Sequence, residues 1–180
     1  KYDNPEELSV SDRNNIGYQY TDCPLYWISV IYLNFAEAKA EMGSLTQDDL
    51  NNSINKLQAR AGLPAMTTTP DADPANNMGV SNLIWEIRRC RRCELIMDNW
   101  YRYWDLIRWH QLDKLDSTKY PNTMLGANVS NVPDCEEATK NGYIDASDAQ
   151  IRTYEAKHYF YPIPTTQLTL NKNMKQNPGW

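Results

Sequence analysis

A chain of 180 residues with 18 basic and 23 acidic side chains, net charge −5 and pI near 5.0 has a one-domain length, enough to bury a hydrophobic core. That acidic balance excludes the basic face a nucleic-acid interface needs, and the one basic run, Arg88-Arg89-Arg91-Arg92, is interleaved with Glu86, Glu94 and Asp98 as an ion-paired surface would be. The longest apolar run, around Leu25 to Phe35, is too short for a bilayer span and carries Ser29 and Asn34.

No secretory signal is recognisable, and Lys1 reads as an interior position of a longer precursor or as a trimmed start. Residues 1–24 are polar and turn-rich, with Tyr18 and Tyr20 alternating with polar neighbours in a loop or short edge strand. The spacing then predicts a helix from about Leu25 to Met42, stopped by Gly43. Its wheel has a bulky face (Ile28, Ile31, Phe35, Ala38, Met42) and a small face (Ser29, Ala36, Ala40, with Leu33 at the edge), so it is expected to lie sandwiched between partners. Thr46 with Asp49 reads as an N-cap and acidic third position opening a second helix, whose stripe is Leu50, Ile54, Leu57 and Ala61. Gly62 and Pro64 end it. The short Gly43–Leu45 connection makes the pair an antiparallel hairpin, close in length to one tetratricopeptide-type repeat. Such a hairpin cannot bury two faces alone, and the cover still missing is expected from an amino-terminal portion.

Residues 64–80 form a polar linker. Leu83 to Leu112 is the basic, aromatic-rich centre of the chain. Leu83, Ile87, Cys90 and Met97 share one helical face, and Glu94 falls within it between Leu83 and Ile87. A carboxylate there must be paired, because an unpaired buried charge costs roughly several kcal/mol. The expected arrangement is an Arg–Glu cluster, with Arg91 and Asp98 within reach, tying this helix to its neighbour. A turn at Asp98-Asn99 leads to a second helix with Trp100, Tyr103, Trp104 and Ile107 inside and Arg102, Asp105 and Arg108 at the seam. Cys90 and Cys93 sit mid-helix, where small buried hydrophobes are the default, a strained disulfide stays open, and zinc is disfavoured because Cys23, Cys135, His110 and His158 are scattered.

Asp116 to Arg152 is a long irregular segment containing Tyr120 and Tyr143. A short β-like stretch, Lys157–Tyr161, runs into Pro162-Ile163-Pro164 and a turn-rich tail. The fold class expected for residues 1–180 is thus one mainly α domain: a tetratricopeptide-like hairpin, a second helix pair, long irregular loops and a short β-like segment near the C-terminus. Twelve Tyr and 6 Trp against 2 Phe favour partly wet contacts, since these rings join an apolar face to a polar edge.

The ordered elements AEAKAEMG, INKLQARAGLP, RRCELIMDNWYRYWDLIRW and YFYPIPTTQLTLNKNMKQNPGW resemble the carboxy-terminal half of SusD/RagB-type outer-membrane proteins. The family's helix pattern maps onto Arg91, Arg92, Glu94, Leu95, Asp98, Arg102, Tyr103, Asp105, Leu106, Arg108 and Trp109. Its closing pattern maps onto Pro162, Ile163, Pro164, Gln176, Asn177, Pro178, Gly179 and Trp180. Departures are Cys90 for a common Glu, Asn99 for Gly, and one extra residue before Arg102. The resemblance implies binding without catalysis. Such proteins are lipid-anchored outside the outer membrane, through an anchor expected here in an amino-terminal portion, and hold oligo- or polysaccharide for a SusC-type TonB-dependent transporter. The motif residues would be framework, and ligand positions do not transfer.

On the residues themselves, loop tyrosines are the binding candidates: Tyr18, Tyr20, Tyr120 and Tyr143. No cofactor or metal is expected, although calcium among the loop carboxylates stays open. The alternatives are a protein-interaction scaffold without glycan binding and a glycoside hydrolase. The latter needs two carboxylates facing each other about 5 to 9.5 Å apart, and Glu94 with Asp98 on an Arg-flanked helix suits an ion pair better.

Overall fold

A computed structural model describes residues 26–96, 101–133, 139–145 and 150–180. The sequence reading takes the chain as one domain; by compactness it falls into two units, the first through Leu95 and the second from Ile96. The architecture is mainly helical, with little strand.

In the first unit, helix α1 spans Ile28–Glu41. It ends as expected at Gly43, whose φ of +66° is left-handed. Gly43 N–H donates to the Ala40 carbonyl and Ser44 N–H to the Lys39 carbonyl, so two C-terminal carbonyls are satisfied. Most of the small face is buried: Ser29, Leu33 and Ala36 are at most 6% exposed, with Val30 beside them, while Ala40 is half-exposed. Small side chains let the neighbouring helices approach closely. The bulky face differs from the expected sandwich, because Ile28 (61%), Ile31 (53%), Phe35 (41%) and Met42 (70%) are exposed.

The single helix expected after Thr46 is two, α2 (Gln47–Asn51) and α3 (Ile54–Arg60). Thr46 and Asp49 do form the reciprocal cap: Asp49 N–H donates to Thr46 Oγ1 at 3.1 Å, and Thr46 N–H to Asp49 Oδ2 at 2.9 Å. The break follows from Asn52 and Ser53, whose side chains donate back to the Asp48 carbonyl (3.0 Å) and the Asp49 carbonyl (2.6 Å) and so compete with helical pairing. Leu50, Ile54 and Leu57 still form one buried stripe across it, whereas Ala61 is exposed. Each fully buried Leu or Ile contributes about 1.5–3 kcal/mol.

Segment 64–80 is held in place. Asn55 Oδ1 accepts from Met66 N–H at 2.7 Å, and Asn55 Nδ2 donates to the Met66 carbonyl at 3.1 Å, so one side-chain amide stands in for a pairing strand. Asp73 accepts from the Trp85 indole at 2.9 Å.

Helix α4, Asn82–Glu94, is capped by Ser81 Oγ and fully buries Ile87. Its Arg and Glu side chains do tie it to neighbouring helices, but with a different pairing from the one expected. Glu94 is bound by Arg60 of α3, whose Nη2 lies 2.6 Å from both carboxylate oxygens. Arg91 is buried and donates to Asn34 at 2.8 Å. Arg88 donates to Glu37 (3.1 Å) and Glu41 (3.0 Å). Side-chain direction, together with the partners packing brings alongside, decides which groups meet, and the wheel records neither. The turn expected at Asp98-Asn99, with Met97 and Trp100, lies outside the described residues.

In the second unit, α5 spans Tyr101–Arg108. Its buried face is Asp105, Leu106 and Trp109, not the expected Tyr103, Trp104 and Ile107, of which Trp104 is 55% exposed. Asp105 can face inward because Arg108 Nε donates to it at 2.9 Å. The Arg108 and Arg102 guanidinium carbons lie 4.7 and 5.8 Å from the Trp109 ring centroid. His110 takes a left-handed φ of 53° as the helix ends, and Gln111 N–H returns to the Leu106 carbonyl.

Segment 116–152 is more structured than expected. A 3-10 turn at Pro121–Met124 precedes an antiparallel sheet of strands β1 (Leu125–Asn128), β2 (Thr139–Lys140) and β3 (Tyr143–Asp145), in the order β1-β3-β2. Asn141-Gly142, both at positive φ, makes the β2–β3 turn. The β-like stretch expected at Lys157–Tyr161 is instead a 3-10 turn, Ala156–Tyr159, and the tail contains helix α6, Thr165–Leu170.

Candidate functional site

In the second unit a cavity of roughly 280 Å³ is lined by Tyr103, Leu112, Leu115, Arg152, Thr153, Tyr154 and His158. Leu112 and Leu115 come from the 3-10 turn Leu112–Leu115 that follows α5 and form an apolar floor. Tyr103 projects from α5. Arg152 to Tyr154 form a wall that is anchored to the next turn: Ser117 N–H donates to the Arg152 carbonyl at 2.9 Å, and Arg152 N–H donates to Ser117 Oγ at 3.0 Å.

Asp116 knots the floor to the wall. Its carboxylate accepts from Thr118 N–H (2.9 Å), Thr118 Oγ1 (2.5 Å) and Tyr154 N–H (3.1 Å). Those bonds, the Thr118 hydroxyl first and then the Tyr154 N–H, lower its pKa to about 2. Burial, then a hydrogen bond with Tyr159, pushes the Tyr154 phenol up to about 12. The Tyr103 phenol is raised by its hydrogen bond to Tyr161, 3.3 Å away, so both rings keep their protons at neutral pH. Tyr159 Oη accepts from Leu112 N–H at 3.2 Å, and its ring lies 5.0 Å from that of His110. His158 Nδ1 accepts from Glu155 N–H at 3.0 Å, which assigns the imidazole proton to Nε2. Aromatic rings with protonated hydroxyls and a nearby guanidinium can stack against a sugar ring and hydrogen-bond to its oxygens.

The candidates from the sequence lie elsewhere or outside the described residues. Tyr18 and Tyr20 are outside them. Tyr120 is half-buried and its hydroxyl accepts from Lys114 Nζ at 3.0 Å. Tyr143 sits in β3, its Cα paired with those of Asn128 and Lys140. Neither lines the cavity. Arg92 is exposed on α4, and Asp98 is outside the described residues. Cys90 and Cys93 are free thiols, and burial raises the Cys90 pKa to about 11, which disfavours its thiolate. Cys23 and Cys135 lie outside the described residues. Among the described residues no group of His, Cys, Asp and Glu is close enough to hold a metal ion, and no helix is long and apolar enough to cross a membrane. Sequence reasoning passed over Tyr154, His158 and Tyr103; the density of rings in Tyr154–Tyr161, just before the Pro-Ile-Pro motif, was the available signal.

Residues 6–180 match the SusD family. The chain belongs to that family. Among solved structures it is similar to BT4246, with 24% identity over 89% of this chain and 24% of that chain and a TM-score of 0.57. A selenomethionine form of BT4246 matches at 26% identity over 89% of this chain and 25% of that one, with a TM-score of 0.58. A SusD-like protein, BF3747 from Bacteroides fragilis NCTC 9343, matches at 24% identity over 84% and 25%, with a TM-score of 0.57. The chain therefore spans about a quarter of the length of these structures. No curated protein matches it.

In this SusD-family chain the closing motif has a visible task. Gln176 Oε1 accepts from Ile163 N–H (2.8 Å) and Gln176 Nε2 donates to the Ile163 carbonyl (2.9 Å), while Asn177 Nδ2 donates to the Tyr161 carbonyl (2.7 Å). Trp180 Nε1 donates to the Phe160 carbonyl at 2.9 Å, and its ring lies 5.9 Å from His158. Gly179 fits because a Cβ there would sit 2.9 Å from Lys157 Cβ, at a φ of +87° that favours glycine. The tail thus fixes the segment that carries His158 and Tyr159.

Proposed function

We propose that this SusD-family chain is part of a non-catalytic protein that binds oligo- or polysaccharide at the cell surface. In the full-length protein it would be lipid-anchored on the outer membrane and would deliver its ligand to a SusC-type TonB-dependent transporter. The observation that carries this reading is the family match across residues 6–180. The aromatic cavity supports it, since Tyr103, Tyr154 and His158 offer ring faces and donors of the kind sugars meet in a partly wet site. Tyr18, Tyr20, Tyr120 and Tyr143 remain proposed ligand contacts. The Arg60 guanidinium on Glu94 suits a structural role for that carboxylate rather than that of a glycosidase acid.

The test is affinity electrophoresis of the full-length protein through gels containing a panel of polysaccharides, with a reducing-sugar assay alongside. At least one polysaccharide should retard the protein, a Tyr154→Ala, His158→Ala double variant should run faster in that gel, and no reducing ends should appear. Free migration in every gel, or release of reducing sugar by a purified sample, would overturn the reading.

A further inference from the structure

We infer that the cavity lined by Tyr103, Arg152, Tyr154 and His158 takes an anionic saccharide, one bearing a carboxylate or sulfate that Arg152 receives. This rests on the glycan-binding reading above and narrows its ligand class.

The argument is one of donors and acceptors. Among the described residues no carboxylate lines the cavity, although the chain as a whole carries a net charge of −5. The nearest acids in the wall are engaged elsewhere. Asp116 is saturated by Thr118 and the Tyr154 N–H, and Glu155 is paired with Lys157 Nζ at 3.2 Å. Asp113 acts on the Tyr154 phenol but does not line the cavity. Arg152 is exposed, and among the described residues no carboxylate pairs with it, while its backbone is held at both N–H and carbonyl by Ser117.

Of the remaining polar groups the imidazole offers a donor, and the tyrosine and Thr153 hydroxyls can donate or accept. His158 Nδ1 is taken by Glu155 N–H, which leaves Nε2–H to donate. Both tyrosine hydroxyls keep their protons. A neutral sugar hydroxyl both donates and accepts, so its donors would find few acceptors here beyond the Thr153 and tyrosine oxygens. A carboxylate or sulfate only accepts, and a guanidinium meets either with two parallel charge-assisted bonds.

The experiment is calorimetric titration of the full-length protein with matched pairs at low salt: an oligouronide against its carboxyl-reduced counterpart, and a sulfated oligosaccharide against its desulfated form. The anionic member of at least one pair should bind about tenfold or more tightly than its neutral partner, as expected for a charge-assisted bidentate contact. Arg152→Gln should shrink that ratio to about threefold or less, and Arg152→Lys should recover part of it, with thermal unfolding of both variants unchanged. Preference in the first pair alone identifies uronates, and in the second alone sulfated sugars. Equal or tighter binding of the neutral members overturns the inference and leaves glycan binding standing, as does a ratio unmoved by Arg152→Gln. Absence of binding by any saccharide, neutral or charged, removes both.

Discussion

Replacing Asn55 with alanine tests whether one side-chain amide holds segment 64–80 against the helices. Asn55 makes hydrogen bonds to Met66 N–H, to the Met66 carbonyl and to Asn51 Oδ1, at 2.7, 3.1 and 2.8 Å. Met66 is only 5% exposed, so its N–H would lose its partner away from water. The Met66 carbonyl would keep Gln47 Nε2 at 3.0 Å. With about 1 kcal/mol for each lost bond and a further penalty for the orphaned N–H, the loss is about 3–4 kcal/mol. For a chain of this length that lowers Tm by about 6–16 °C. Asn55→Asp separates the terms, because it keeps the acceptor for Met66 N–H and sets a carboxylate oxygen against the Met66 carbonyl. Urea unfolding of both variants should show the midpoint falling with the slope unchanged. A loss below about 1 kcal/mol for Asn55→Ala would refute the claim that this amide does the work of a strand.

Further expectations concern the helices and the acid limit. Leu33→Ala should destabilise by about 2–5 kcal/mol, because Leu33 is fully buried, whereas Phe35→Ala and Ile31→Ala on the exposed face of α1 should stay within about 1 kcal/mol in the 180-residue chain; equal losses in denaturant unfolding would contradict the assignment of the two faces. Arg88→Ala should cost about 3–5 kcal/mol, since the Arg88 and Glu37 side chains are 10% and 4% exposed and Glu37 would lose a buried partner. Arg60→Ala should cost no more than about 1 kcal/mol, because Arg60 is 64% exposed and its bond to Glu94 is open to water and salt; the reverse order in calorimetric Tm would show the burial argument to be wrong. Asp116 has a folded pKa of about 2, below its ordinary value of about 3.9. Its contribution is therefore full above pH 4 and is lost as pH falls towards 2, so stability-versus-pH curves should be flatter in that window for Asp116→Asn. An unchanged slope would show that the carboxylate is not the group responsible.

The elements that the sequence placed well are those whose cause is local. Gly43 and Gly62 end their helices because a residue without Cβ takes positive φ freely, and Thr46 with Asp49 satisfies its own helix start; both signals sit within four residues of their effect. Membership of the SusD family was also legible, since several ordered motifs persist along the chain. The Asn141-Gly142 hairpin was equally local and was passed over in a segment read as irregular.

What depended on tertiary structure was the choice among faces and partners. Periodicity marked two apolar faces on α1, but only packing decided that the one carrying Ser29, Leu33 and Ala36 is buried. A wheel placed Glu94 beside Arg91, yet its partner is Arg60, 34 residues earlier, since partners on neighbouring helices have no fixed spacing in sequence. The cavity gathers Tyr103, Leu112, Arg152 and His158 from separate segments, and it exists because Asp116, Gln176 and Trp180 draw those segments together. Local conformation follows from neighbours along the chain, and a binding surface follows from neighbours in space.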